Sequence, residues 1–104
     1  MSNPETKPPT LLNSTERDRL LSELNYPWKI SNDGKEIICQ FDFKGFYKTM
    51  GFVNAVAWIA QQEMHHPDME VSFNKCIVHF TTHDSGGLTD NDFRCARLIE
   101  SLNP

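Results

Sequence analysis

The sequence predicts an α+β domain: a four-stranded antiparallel sheet with three helices packed on one face, in the order α-β-β-α-β-β-α. Three observations carry that reading. Two stretches alternate apolar and polar residues beside turn signals, as hairpins do. Between them lies one long stretch whose apolar residues recur at spacings of three and four, as in a helix. Shorter helical stretches with their own start signals stand at either end.

Residues 1–12 hold Pro4, Pro8 and Pro9 and read as a flexible tail, leaving 13–104 as a single domain. The first helix starts near Ser14 or Thr15, with Glu16 and Asp18 in the first turn, where acids complement the helix dipole. Leu20, Leu21 and Leu24 give it an apolar stripe, and Pro27 stops it. Trp28 to Ile30 reads as a short strand. Asn32-Asp33-Gly34 then supplies the positive φ angles of a hairpin turn. In the strand from Glu36 to Phe43, the set Ile37, Cys39, Phe41 and Phe43 faces the core, and Ile38, Gln40 and Asp42 face away.

Gly45 to Met64 reads as the longest helix. Phe46, Met50, Val53, Val56, Ala57 and Ala60 form its expected core stripe. A mid-helix glycine costs about 1 kcal/mol against alanine, so Gly51 predicts close packing on another element. Pro67 cannot continue the helix and disfavours helical geometry at His66, so the chain turns there. Met69–Phe73 and Cys76–Thr82 read as two strands joined by Asn74-Lys75, with Cys76, Val78 and Phe80 alternating with Ile77, His79 and Thr81. Thr89 opens the last helix, with Asp92 three residues on, a capping box with Asp in place of Glu.

Composition excludes several function classes. The 104 residues are 38% hydrophobic and 11% aromatic, enough for one small core and too apolar for disorder. A net charge of -4 argues against direct nucleic-acid binding by phosphate neutralisation. No apolar run approaches the roughly 20 residues of a membrane helix, and the N-terminal stretch lacks the apolar segment of a signal peptide. Cys39, Cys76 and Cys95 are widely spaced with no CxxC pair, so they read as reduced, buried thiols in a cytoplasmic protein.

Chemistry concentrates between Glu63 and Asp92, where all four histidines lie. Histidine is the side chain whose unperturbed pKa lies nearest neutrality, so converging histidines suggest proton transfer. Each residue also has a plainer reading. His65-His66-Pro67 fits two exposed loop histidines, and His83 fits a polar strand end. His79 belongs on the sheet's outer face. Asp92 fits a helix cap or a partner for a histidine. The adjacent pair lacks the i, i+4 spacing of a helical metal site, and no cysteine is near it, so no metal or other cofactor is expected.

Taken together, the spacing is more specific than its parts. Five residues separate Pro67 from Phe73, nine separate Phe73 from His83, and eight separate His83 from Asp92. This resembles the pterin-4a-carbinolamine dehydratases, also called 4a-hydroxytetrahydrobiopterin dehydratases. Trp28, Gln40-Phe41-Asp42-Phe43-Lys44, Phe46, Gly51-Phe52, Asn74-Lys75, Thr82-His83 and Gly87-Leu88 extend the likeness from about residue 20 to the C-terminus. Four positions before His65 the family usually has Glu, Asp, Lys or His, and this chain has Gln61; Glu63 lies about 200° round the helix from it.

The resemblance implies dehydration of 4a-hydroxytetrahydrobiopterin to quinonoid dihydropterin and water, in the recycling of the cofactor of aromatic amino-acid hydroxylases. It implies His65 and His83 as the acid/base pair and His66 as a pterin contact, with Pro67 fixing the turn. Trp28 and Phe73 fit pocket walls or plain core equally, and Asp92 and Glu63 are candidate supports. A homodimer or homotetramer is expected, with an aromatic amino-acid hydroxylase as a candidate partner and neither nucleic acid nor membrane. Two other readings stand beside the enzyme: a protein-binding, coactivator-like module, and a pterin-binding helper in molybdopterin metabolism.

Overall fold

The computed structural model describes residues 8–104, so the first seven residues of the expected tail lie outside it. Helix α1 spans Ser14–Ser22, strands β1 and β2 span Lys29–Ile30 and Ile37–Asp42, and helix α2 spans Phe46–Glu63. Strands β3 and β4 follow at Asp68–Ser72 and Lys75–Phe80, then a 3-10 turn at His83–Ser85 and helix α3 at Asp90–Glu100. The four strands are antiparallel, in the spatial order β1-β2-β4-β3.

The register explains the core. Ile37 lies opposite Phe80, Cys39 opposite Val78, and Phe41 opposite Cys76, so the inward set of β2 meets the inward set of β4 on one face. These six residues are buried together with Leu20 of α1, Phe52 and Val56 of α2, and Phe93, Ala96 and Ile99 of α3. All three helices therefore cover the same face, as the alternation predicts. Ile38, Gln40, Asp42, Ile77 and His79 lie on the other face.

Helices α1 and α3 start with side-chain caps, whereas α2 starts at Gly45 without one. Asn13 accepts from the Glu16 backbone N–H at 2.8 Å, and Glu16 reaches back to the Asn13 N–H, so the cap of α1 falls one residue before the expected start. Residues 8–12 are engaged in part. The Leu12 N–H donates to the Leu88 carbonyl at 3.0 Å, and Leu12 packs against the core.

Three expectations are corrected. The β3–β4 connection is Phe73-Asn74, because Lys75 pairs with Ser72 and Asp42 inside the sheet. The loop is pinned by the Phe43 N–H on the Asn74 carbonyl (2.7 Å) and by the Thr49 hydroxyl on the Phe73 carbonyl (3.0 Å). The buried face of α2 runs through Thr49, Phe52 and Val56, whereas Phe46 and Ala57 are exposed. Thr49 satisfies its hydroxyl through backbone carbonyls, so a polar residue occupies a core position and turns the stripe away from the purely apolar count. Gly51 is exposed, and a Cβ built there would meet nothing within 4 Å among the described residues, so it makes no close approach to another described element.

Candidate active site

The site is assembled where three chain segments end side by side. The first is the C-terminus of α2. The Met64 N–H bonds back to the Gln61 carbonyl and the His65 N–H to the Ala60 carbonyl (3.4 and 3.1 Å), the paired bonds of a Schellman motif. Such an ending needs a left-handed residue, and Met64 adopts it at φ 53°. A non-glycine residue there carries a strain of roughly 1–2 kcal/mol. The motif reverses the chain in one residue, and Pro67 then commits it to extended geometry leading into β3. His65 is thereby left partly buried and His66 exposed.

The second segment is the exit of β4. Thr82 pairs with Gly87 through two backbone bonds, so the residues between them form a tight loop closed by Gly86 in the left-handed region. His83 opens that loop and is exposed. The third is the start of α3, where Thr89 and Asp92 form the capping box.

These segments meet at Asp92, which is fully buried. Its Oδ1 lies 2.6 Å from His65 Nε2. Its Oδ2 accepts from the Thr82 hydroxyl at 2.8 Å and from the Thr89 N–H at 2.9 Å. The His65 ring stacks flat on Phe80, with centroids 5.8 Å apart and planes 9° from parallel. Its side chain is only 13% exposed, so the ring is held by one carboxylate edge-on and one aromatic face. The carboxylate has a hydrogen-bond partner on each oxygen, and an accepting oxygen facing Nε2 selects the ring tautomer that carries its proton there. Nδ1 is then the nitrogen left for chemistry.

Two clefts adjoin this histidine. One of about 160 Å³ is lined by Met64, His65, His66, Thr81, His83 and their neighbours. The other, about 420 Å³, shares Met64, His65 and His66 with it and is lined also by Gln61, Pro67 and Met69 among others. The rings of His66 and His83 make no hydrogen bond among the described residues, so both are available to a ligand. A larger concavity, about 640 Å³, lies elsewhere, on the outer sheet face around Ile38, Gln40 and Ile77. It gathers no acid or base suited to proton transfer near neutrality, so the histidine clefts are the better site despite their size.

The other candidates fall in different places. His79 sits on the outer face as expected, between Glu36 and Glu70 (2.9 and 2.5 Å). Burial would lower its pKa, but the hydrogen bonds and charges of Glu70 and Glu36 outweigh that and raise it. Glu63 accepts from Arg94 Nε at 2.9 Å and so ties α2 to α3 without a contact to a histidine. Trp28 is core: its indole N–H donates to buried Glu100 at 3.1 Å. Phe73 is 66% exposed at the tip of the β3–β4 hairpin, at the far end of β3 and about 20 Å of extended chain from Pro67. Neither aromatic lines the two histidine clefts, so neither serves as a wall within this chain. Burial pushes the thiols of Cys39, Cys76 and Cys95 up, to about 12, 11 and 11, which makes them inert as nucleophiles at neutral pH. No group of three or more His, Cys, Asp or Glu among the described residues is placed to hold a metal ion.

Sequence reasoning missed Thr82 and Phe80 as partners of the site. Phe80 was legible only as a core residue of β4, and nothing in the spacing ties Thr82 to Asp92.

The family model for pterin 4 alpha carbinolamine dehydratase matches residues 10–102. The chain belongs to this family. A Legionella pneumophila (strain Corby) protein, named provisionally as a pterin-4-alpha-carbinolamine dehydratase, is 54% identical over 91 residues, covering 88% of this chain and 80% of its own length. A Nitrosomonas eutropha protein with the same provisional name is 47% identical over 91 residues, covering 88% and 79%. Among solved structures, the transcriptional coactivator/pterin dehydratase of Brucella melitensis superposes with a TM-score of 0.84 at 28% identity, covering 89% of this chain and 98% of that one. A pterin dehydratase-like protein identified as a RuBisCO assembly factor in the alpha-carboxysome shares the fold, with a TM-score of 0.64 at 15% identity, over 75% and 90% of the two chains. In this dehydratase family member, then, the histidine spacing, the fold and the family agree.

Proposed function

We propose that this protein dehydrates 4a-hydroxytetrahydrobiopterin to quinonoid dihydropterin, and so serves the recycling of tetrahydrobiopterin after aromatic amino-acid hydroxylation. The observation that carries the reading is His65: a nearly buried imidazole, anchored through Nε2 to a buried carboxylate, beside two unengaged histidines. That is how a general acid or base is set up, with one nitrogen fixed and the other turned to the ligand.

The reaction is an elimination without change of redox state. The C4a–O bond breaks as its oxygen takes a proton, the N5–H proton leaves, and the N5 electron pair forms the C4a=N5 double bond with release of water. One group must give a proton while another accepts one, and neither a metal nor a redox cofactor is needed. His65, through Nδ1, and His83 fill these two roles. His66, which lines both clefts, binds and orients the bicyclic ring. Pro67 holds the turn that presents the pair. Gln61, on the rim of the larger cleft, offers an amide where a charged side chain is usual in the family.

Turnover of synthetic 4a-hydroxytetrahydropterin by the purified protein tests the reading. Acceleration over the spontaneous rate without added metal is expected. A rate equal to the uncatalysed one would overturn the enzyme, and inhibition by EDTA reversed by zinc would overturn the metal-free mechanism. A second reading, a protein-binding module, is favoured by one observation: the Brucella relative is described as both coactivator and dehydratase.

A further inference from the structure

The site contains a hydrogen-bond chain longer than proton transfer at His65 requires, and its direction can be worked out. A threonine hydroxyl has one proton to give. Thr82 Oγ1 lies 2.8 Å from Asp92 Oδ2 and also 2.8 Å from Thr89 Oγ1. The carboxylate can only accept, so the Thr82 proton goes to Asp92. The Thr89 hydroxyl must then donate to Thr82, and it accepts in turn from the Asn91 N–H at 3.3 Å. The Thr89 N–H closes the ring on Asp92 Oδ2 at 2.9 Å. Thr82, Thr89 and Asp92 are all buried, so none of these donors is replaceable by water without rearrangement.

We propose that Thr82 is a positioning residue for the reaction, acting through Asp92 on His65. With Thr82 and the Thr89 N–H on Oδ2, the carboxylate is held in one rotamer, its other oxygen aimed at Nε2. His65 is thereby locked as its Nε2–H tautomer, with the Nδ1 lone pair facing the reaction. Thr82 lies on the β4 exit and Asp92 on α3, so the chain couples the loop carrying His83 to the ring of His65. Thr82 is the immediate chain neighbour of His83, so one residue borders both histidines' segments. The kinetic part of this inference rests on the proposed dehydratase activity; the tautomer part does not.

The test combines ¹⁵N NMR of the histidine side chains with steady-state kinetics for Thr82→Val, Thr82→Ser and wild type. In wild type, His65 is expected as a single Nε2–H tautomer. Thr82→Val keeps the shape and removes the donor; His65 is expected to show mixed tautomers, with kcat about 10-fold lower and KM little changed. Thr82→Ser restores the hydroxyl and is expected to restore both readouts. An Nδ1–H tautomer at His65 in wild type overturns the proposal even if the valine variant fails to fold. So does a valine variant with an unmixed tautomer, or a serine variant that recovers neither readout. If wild type shows the Nε2–H tautomer but turns over no 4a-hydroxytetrahydropterin, the dehydratase reading fails and the positioning of His65 stands.

Discussion

Single residues decide the chemistry here, and their burial separates their roles. His65 is nearly buried and anchored, whereas His66 and His83 are exposed and free of side-chain hydrogen bonds among the described residues. His65→Ala and His83→Ala are each expected to lower kcat by roughly 10²-fold or more, the loss typical of a general acid or base. His66→Ala is expected mainly to raise KM, because a contact held equally in ground and transition states affects binding alone. Full turnover by the His65 and His83 variants in a steady-state assay would show the assignment to be wrong. His79 makes a separate prediction. Its pKa is raised in the folded protein above the unfolded value of about 6.5. The native state therefore binds the proton more tightly, and this contribution to stability is complete below about pH 6.5. It is lost as pH rises through the folded value. His79→Gln is expected to flatten that part of the stability profile in urea titrations across pH while leaving kcat unchanged, since the ring lies on the opposite face from Phe80 and His65.

Elements set where those residues can be. The end of α2 is the most consequential, because the Schellman turn leaves His65 partly buried and its neighbour His66 exposed. The sequence showed that the helix stops before Pro67. It did not show that Met64 takes the left-handed conformation, since methionine carries no preference for it. The mid-helix glycine differs from its expected role for a related reason. Propensity records that Gly51 is unfavourable in a helix, and tertiary packing alone records whether a neighbour requires it. None does among the described residues, so Gly51→Ala is expected to stabilise the protein by about 0.5–1 kcal/mol, a Tm several degrees higher by calorimetry. A lower Tm would mean that α2 packs closely against a second copy of the chain at that point.

At the scale of the whole molecule, the two ends of the domain are joined through Glu100. Its carboxylate accepts from the Asn25 and Tyr26 N–H groups (3.0 and 2.8 Å) and from the Trp28 indole, linking the last helix to the segment before β1. Glu100→Ala would leave the buried Trp28 indole N–H unpaired and remove the acceptor of the part-buried Asn25 and Tyr26 N–H bonds, and a loss of about 1–3 kcal/mol in urea denaturation is expected. The chain also leaves apolar surface uncovered: Tyr47, Trp58 and Phe73 are 87%, 62% and 66% exposed, and β3 is an open edge. A homodimer or homotetramer is expected on this account, read as mass by light scattering at tens of micromolar, and a monomeric mass would contradict it.

Periodicity alone determined the order of elements, the two faces of β2 and β4, and the place of His79 outside the site. These follow from the period-two alternation of strands and the capping of helices, which are local properties. The spacing from His65 to Asp92 singled out the candidate residues and their family. What the tertiary structure decided is which of them meet. Strand β4 lies between β2 and β3, and that order brings Thr82 against the start of α3 and Asp92 under the end of α2. It also leaves Phe73 at the distant tip of its hairpin. A contact across ten or twenty-seven residues depends on how strands and helices stack, and burial of Asp92 at that junction is what turns a helix cap into the anchor of His65.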